Sequence, residues 1–187
     1  MAASGAVLTE VRVEVIRILG GRSSSADVAT RMAKLIQPHA PLAVRIAVAD
    51  HLQDSRCEAE CVLHVLHYME RLSYGERAWE DVGEDVGITL SEEKERLERQ
   101  LTSLLLANKG FTLRVLEDIY GLTLNMESPW SSPFPSKFAI QMTSRLKIVD
   151  ACPILVYIEA NAGRYPSEMV SAAATAKRDL KCSDPAV

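Results

Sequence analysis

The sequence predicts an all-α chain, and three observations carry that expectation. Apolar residues recur at three-and-four spacing in most segments between its breaks, the clearest of these segments have caps that agree with their stripes, and only 9 Gly and 8 Pro interrupt them. With 187 residues and 48% hydrophobic content, the chain can bury a real core as one domain with extensions, which excludes disorder throughout.

In chain order, the first element lies in the N-terminal segment ahead of Gly20. Val11, Val13 and Val15 alternate with Arg12 and Glu14 as in a strand, yet Leu8, Val11, Val15 and Ile18 also form a helical stripe. We read helix, because a lone strand has nothing to pair with. Helices follow at 25–37, ended by Pro38, and at 42–53. From 57 to 72, at about 100° per residue, Cys61, Val65, Tyr68, Met69 and Leu72 share a face, with Glu60, His67, Glu70 and Arg71 turned away. The next helix opens at Thr89 or Ser91, with Glu92 and Glu93 in its first turn. It stacks Leu97, Leu101, Leu104 and Leu105 and is expected to stop at Lys109 and Gly110, a terminal cation followed by a glycine. Helices at 112–120, 136–148 and 167–180 complete the set, whereas the β-branched run 154–158 fits either period.

Two breaks divide this pattern. Glu-Asp-Val-Gly occurs twice in tandem, at 80–83 and 84–87, within a stretch, 76–95, that holds eight acids against two bases and so carries a local charge of −6. Since the whole chain is −4, the remainder is weakly positive. The second break, 125–136, has Pro129, Pro133 and Pro135 among serines, and no regular element can cross it.

Several function classes lack support. The 21 Lys and Arg are scattered over an acidic chain, so no basic stripe exists for nucleic acid. The best apolar run, 154–158, is closed by Glu159 and Asn161, too short for a bilayer, and no membrane partner is expected. The N-terminus lacks a basic and then apolar leader, and Glu10 and Glu14 disfavour a transit peptide. Four irregularly spaced cysteines, Cys57, Cys61, Cys152 and Cys182, suggest reduced thiols in the cytoplasm or nucleus.

No cofactor, metal or catalytic residue is expected. Cys57, Cys61, His64 and His67 have ligand-like spacing, but successive ligands on one straight helix drift apart by about 4.5–6 Å, so a tetrahedral ion would need a second cluster that the sequence lacks. Gly20, Gly21 and Arg22 precede serines and a helix but include no phosphate-loop signature, and the serines are accounted for as caps. No nucleophile elbow or paired zinc histidines occur. Trp79 and Trp130 sit in the breaks, where they either pack a loop on the core or anchor a partner.

Three segments resemble a cyclin box, most closely that of the Pho-type cyclins. The helix Cys57-Glu-Ala-Glu-Cys-Val-Leu-His-Val-Leu-His-Tyr-Met-Glu-Arg-Leu is similar to the family's second helix, with its Cys-Ser-x-Glu-Cys opening and Tyr-Ile-Asp-Arg-Leu end. Leu101-Thr-Ser-Leu-Leu-Leu-Ala-Asn-Lys is similar to the third-helix Leu-Thr-Ser-Leu-Leu-Leu-Ala-Ser-Lys, and Arg45-Ile-Ala-Val-Ala-Asp-His-Leu has the spacing of the first.

The resemblance implies a single five-helix box at 41–150, with an acidic insertion at 75–95 and helical extensions at 1–40 and 151–187. It implies a non-catalytic regulator of a cyclin-dependent kinase, acting in the cell cycle or a related kinase pathway. Arg45 and Glu70 would form the ion pair inside the box, and Lys109 would donate to kinase carbonyls, with Phe111 and Gln141 beside it. Gln141 stands in for the family's fifth-helix glutamate, since 136–148 contains no acid. The alternatives are a generic helical adaptor without kinase binding, and an enzyme with an unrecognised site. The acidic insertion is either a solvated linker or a contact for a basic partner surface.

Overall fold

A computed structural model describes residues 2–20, 25–74, 87–126 and 134–183, with side chains from Leu8 in the first helix and from Glu92 in the fifth. The described residues are all-α. They form α1 (Ala2–Gly20), α2 (Ala26–Ala33), α3 (Leu42–Gln53), α4 (Ala59–Ser73), α5 (Gly87–Ala107), α6 (Lys109–Asp118), α7 (Lys137–Arg145), α8 (Cys152–Ala160) and α9 (Ser167–Leu180). Short 3₁₀ turns occur at Val149–Ala151 and Ala162–Arg164. None of the described helices is long and apolar enough to cross a membrane. Trp79, Trp130, Gly21, Arg22 and the acidic repeat as far as Val86 lie outside the described residues.

Contacts divide the chain into two compact units, Met1–Thr112 and Leu113–Val187. The stretch 41–150, expected to form the box, has residues in both. In the first unit α3 packs against α1, α2 and α5, while α2 packs on α4. Helix α3 is buried nearly all round, at Leu42, Val44, Arg45, Ala47, Val48, Ala49 and Leu52, as a helix with neighbours on several sides must be. The expected stripes of α4 and α5 are buried at Cys61, Val65, Tyr68 and Met69, and at Leu97, Leu101, Leu104 and Leu105, while Leu72 at the end of the α4 stripe is half-buried.

Helix boundaries follow local chemistry. Ser25 caps α2, its Oγ accepting from Val28 N at 3.4 Å. That helix ends at Ala33, short of the expected residue 37, because Leu35 and Ile36 bond back three residues, to Met32 and Ala33, in a tightened last turn. Helix α5 begins at Gly87, ahead of the expected caps, and ends at Ala107. The expected stop at Lys109 and Gly110 is corrected: both open α6. The break is Asn108, and the buried Thr112 hydroxyl donates to Leu105 O at 2.8 Å, satisfying a carbonyl that the end of α5 leaves open.

In the second unit α7 and α8 both pack on α9. Ser136 caps α7, accepting from Ala139 N at 3.1 Å. Helix α7 stops at Arg145, since Lys147 takes a left-handed φ of 53° and Ile148 N bonds back to Thr143 O at 2.9 Å. The ambiguous run 154–158 is helix α8: Pro153 sits in its first turn, and Ile154, Leu155 and Ile158 are buried. Ala173 and Ala176, the buried positions of α9, are small enough to let a neighbouring helix approach closely. Gly121 turns the chain at φ 68°, where an added Cβ would come within 2.9 Å of Phe134 O.

The expectation of reduced thiols is corrected. Cys57 is bridged to Cys61 and Cys152 to Cys182, with Cα separations of 5.3 and 5.5 Å. The first pair is brought together by the entry into α4. The second spans the start of α8 and the residue just after the left-handed cap of α9, a proximity that appears only once the two helices fold back on each other.

Candidate partner-binding site

Two places in the first unit hold the residues singled out in the sequence. The first is the contact between α3 and α4. Arg45 is 2% exposed, and its Nη1 donates to the Tyr68 hydroxyl at 3.0 Å. A buried tyrosine in an apolar stripe requires a partner for its hydroxyl, which Arg45 Nη1 supplies, while the hydroxyl provides one of the acceptors that a buried guanidinium requires. The sequence pattern places Tyr68 on the apolar face of α4, and its phenolic oxygen is the signal that this face is not purely apolar. Glu70 lies one residue beyond the next along α4, and its carboxylate is 3.5 Å from His67 Nδ1.

Helix α3 is also fastened to α5. Asp50 accepts from Arg96 at 3.3 Å and from the Gln100 side chain, and Gln53 Nε2 donates to Gln100 O at 2.7 Å. Asp50 belongs to the segment that carries the first-helix resemblance, and here it acts as a clasp between helices.

The second place is the junction of α5 and α6. Asn108 folds inward, its Nδ2 donating to Leu104 O at 2.9 Å. The chain then restarts as a helix, leaving three neighbours toward solvent: Leu106, 47% exposed; Phe111, 39% exposed; and Lys109. The Lys109 ammonium has no ion-pair partner among the described residues, and nothing lies within 4 Å of a Cβ placed on Gly110. The junction thus exposes two apolar side chains, a cation without an ion-pair partner among the described residues and an open backbone, groups that can bury apolar area and donate to carbonyls. Gln141, half-buried on α7, belongs to the other unit. Lys109 and Phe111 are both exposed in the first turn of α6, two residues apart, and Gln141 is described apart from them.

The histidines add a pH dependence. Burial pushes the His51 pKa below its ordinary 6.5, against a smaller opposing effect of Asp54. Burial, followed by Lys34, does the same for His64, opposed by Glu60. Ser55 Oγ lies 3.1 Å from His51 Nε2 but donates its hydrogen to His51 O at 2.9 Å, so the imidazole is not placed as a base toward that hydroxyl. Cys57 and Cys61 are bonded to each other and are not thiolate ligands. Both lowered histidine pKa values mean that the unfolded chain binds more protons below about pH 6.5. This contribution to stability is full above that pH and is lost as pH falls through it. Thermal melts across this range are expected to show the midpoint dropping on acidification, and a His51→Asn, His64→Gln variant should flatten the slope.

Comparison of the chain with protein-family models, with curated proteins and with solved structures finds no match in any of the three. The resemblance to a cyclin box thus rests on the residues already quoted.

Proposed function

We propose that this chain is a non-catalytic regulatory subunit that binds a cyclin-dependent kinase through the face presented at the α5–α6 junction. The observation that carries the reading is the exposed group Leu106, Lys109 and Phe111, at the end of the segment most similar to a cyclin third helix. Its mechanism would be conformational. Lys109 would hydrogen-bond carbonyls at the kinase's regulatory helix while the apolar pair is buried, favouring the active arrangement of that helix. Arg45 and Glu70, as the internal pair of the box, would keep its first two helices in register. No nucleic acid, membrane, metal or cofactor enters this scheme, and it places the chain in the cytoplasm or nucleus.

The test is binding of purified cyclin-dependent kinases to the full chain and to Lys109→Glu. Charge reversal at a contact that donates to carbonyls is expected to weaken binding by tenfold or more, about 1.4 kcal/mol or above. As an exposed substitution it should leave the melting transition within about 0.5 kcal/mol of the parent. No association with any kinase, or an association untouched by Lys109→Glu, would remove the regulator reading.

A second reading, a helical adaptor without kinase binding, is favoured by two observations. Helix α7 carries no acid where the family places its glutamate. All four cysteines are bridged, a state that persists in oxidising rather than reducing compartments. Under that reading, thiol labelling of the chain taken rapidly from its cells would find no free cysteine.

A further inference from the structure

Helix α1 carries apolar side chains on two sides. One side packs on α3 and contains Ile16, 3% exposed. The other presents Leu8, Val11, Val15, Ile18 and Leu19, each 47–56% exposed. At about 100° per residue these five form one stripe, some 140° away from Ile16 and its neighbours Thr9 and Val13. A contiguous aliphatic stripe in water is uncommon on a chain that acts alone.

Beside the stripe lies a groove of about 450 Å³. Val11 and Val15 form one wall, and Leu35, Pro41 and Val44 form the other. Its polar lining is Arg12, Lys34, Gln37 and His39, and no carboxylate borders it among the described residues. Lys34 also meets Glu60 at 3.0 Å in a half-exposed pair, whereas Arg12 has no ion-pair partner among the described residues. The groove is therefore lined by aliphatic side chains together with two cations, Arg12 and Lys34.

We propose that this groove receives an amphipathic helix of a partner protein, with aliphatic anchors on one face and glutamate or aspartate along the edge that meets Arg12 and Lys34. The stripe from Leu8 to Leu19 spans about 16 Å, which is three helical turns and fits anchors at i, i+4 and i+7. The charge of the lining selects the occupant. A second copy of this chain would offer its own α1, which has Arg12 again on the groove side and, on the other side of the stripe, Glu10 and a Glu14 already facing Arg17 at 3.9 Å, a poorer charge match than an acidic edge.

The experiment uses the full chain and two labelled synthetic helices that share one leucine stripe, the first flanked by glutamates and the second by lysines. Fluorescence anisotropy at low salt is expected to show saturable binding of the glutamate helix, about tenfold or more tighter than the lysine helix. Arg12→Glu should reverse that order, and Val15→Asp, at an exposed position, should abolish binding of both with helicity unchanged. Failure of the glutamate helix to bind overturns the proposal, as does equal binding of the two helices regardless of the charge at residue 12. Sedimentation showing a dimer that Val15→Asp dissociates would assign the stripe to a second copy instead. Flotation with phosphatidylglycerol vesicles that Val15→Asp abolishes would assign it to a lipid surface.

Discussion

Replacing Phe138 with alanine is expected to destabilise the Leu113–Val187 unit by about 3–5 kcal/mol, the range for removing a buried aromatic ring. Phe138 is 2% exposed near the start of α7, and its ring meets Tyr120 at a centroid distance of 5.2 Å and a tilt of 54°. A tilted pair of this kind contributes about 0.5–1.5 kcal/mol beyond its buried area. The chain is shaped to bring the two rings together: Gly121 turns at positive φ, and Ser136 N then donates to Tyr120 O at 2.8 Å. Loss of the ring leaves a cavity that this backbone clasp cannot collapse to fill. Hydrogen exchange read by mass spectrometry should show lost protection in 134–183. A decrease below about 1 kcal/mol would mean that the site repacks, contrary to the close packing inferred for it.

What could be read from the sequence depended on whether the decisive interaction was local. Helix α3 begins directly after Pro41, and its expected bounds, 42–53, are those observed. The same holds for α9, which begins after Pro166 at Ser167. Where the stop signal lay in a neighbour's side chain, the expectation slipped. Lys109 and Gly110 satisfy the rules for a helix end, but the Thr112 hydroxyl and the inward Asn108 move the break one residue earlier and let glycine enter a first turn. Nothing in a lysine announces a left-handed conformation, and so α7 is shorter than its pattern. In 154–158 the β-branched residues left helix and strand equally open, and packing on α9 decides between them.

The candidate site divides the same way. Exposure of Lys109 and Phe111 could be anticipated, because a cation and an aromatic just past a leucine stripe fall outside its buried face. The partnership of Arg45 with Tyr68 crosses 23 positions and two helices, and the cysteine bridge from 152 to 182 crosses 30. Periodicity places a residue on a face but does not say which residue of another helix it will meet.

Arg45→Ala is expected to cost the first unit about 3 kcal/mol or more. Truncating a long buried side chain to alanine opens a cavity worth about 2–5 kcal/mol, and the Tyr68 hydroxyl loses a charged donor inside the core, for about 1–3 more. Lysine should not rescue, since one ammonium cannot reproduce the planar fork of a guanidinium. Tyr68→Phe alone should cost about 1.5–3 kcal/mol, the value of a hydrogen bond to a charged group. Combining Arg45→Ala with Tyr68→Phe removes both polar ends, so the double variant should lose less than the two single losses added, with a coupling of about 1 kcal/mol or more. Additive losses would show that the two side chains do not act on each other. This cycle also bears on partner binding. Helix α3 is clasped to α5 through Asp50 and Gln53, and α5 leads into the turn that carries Lys109. Under the proposed kinase-binding role, if α3 keeps that face in place, Tyr68→Phe should weaken binding in step with its loss of stability. Lys109→Glu should weaken binding with the melting transition unmoved, and that contrast separates a residue that supports the surface from one that makes the contact.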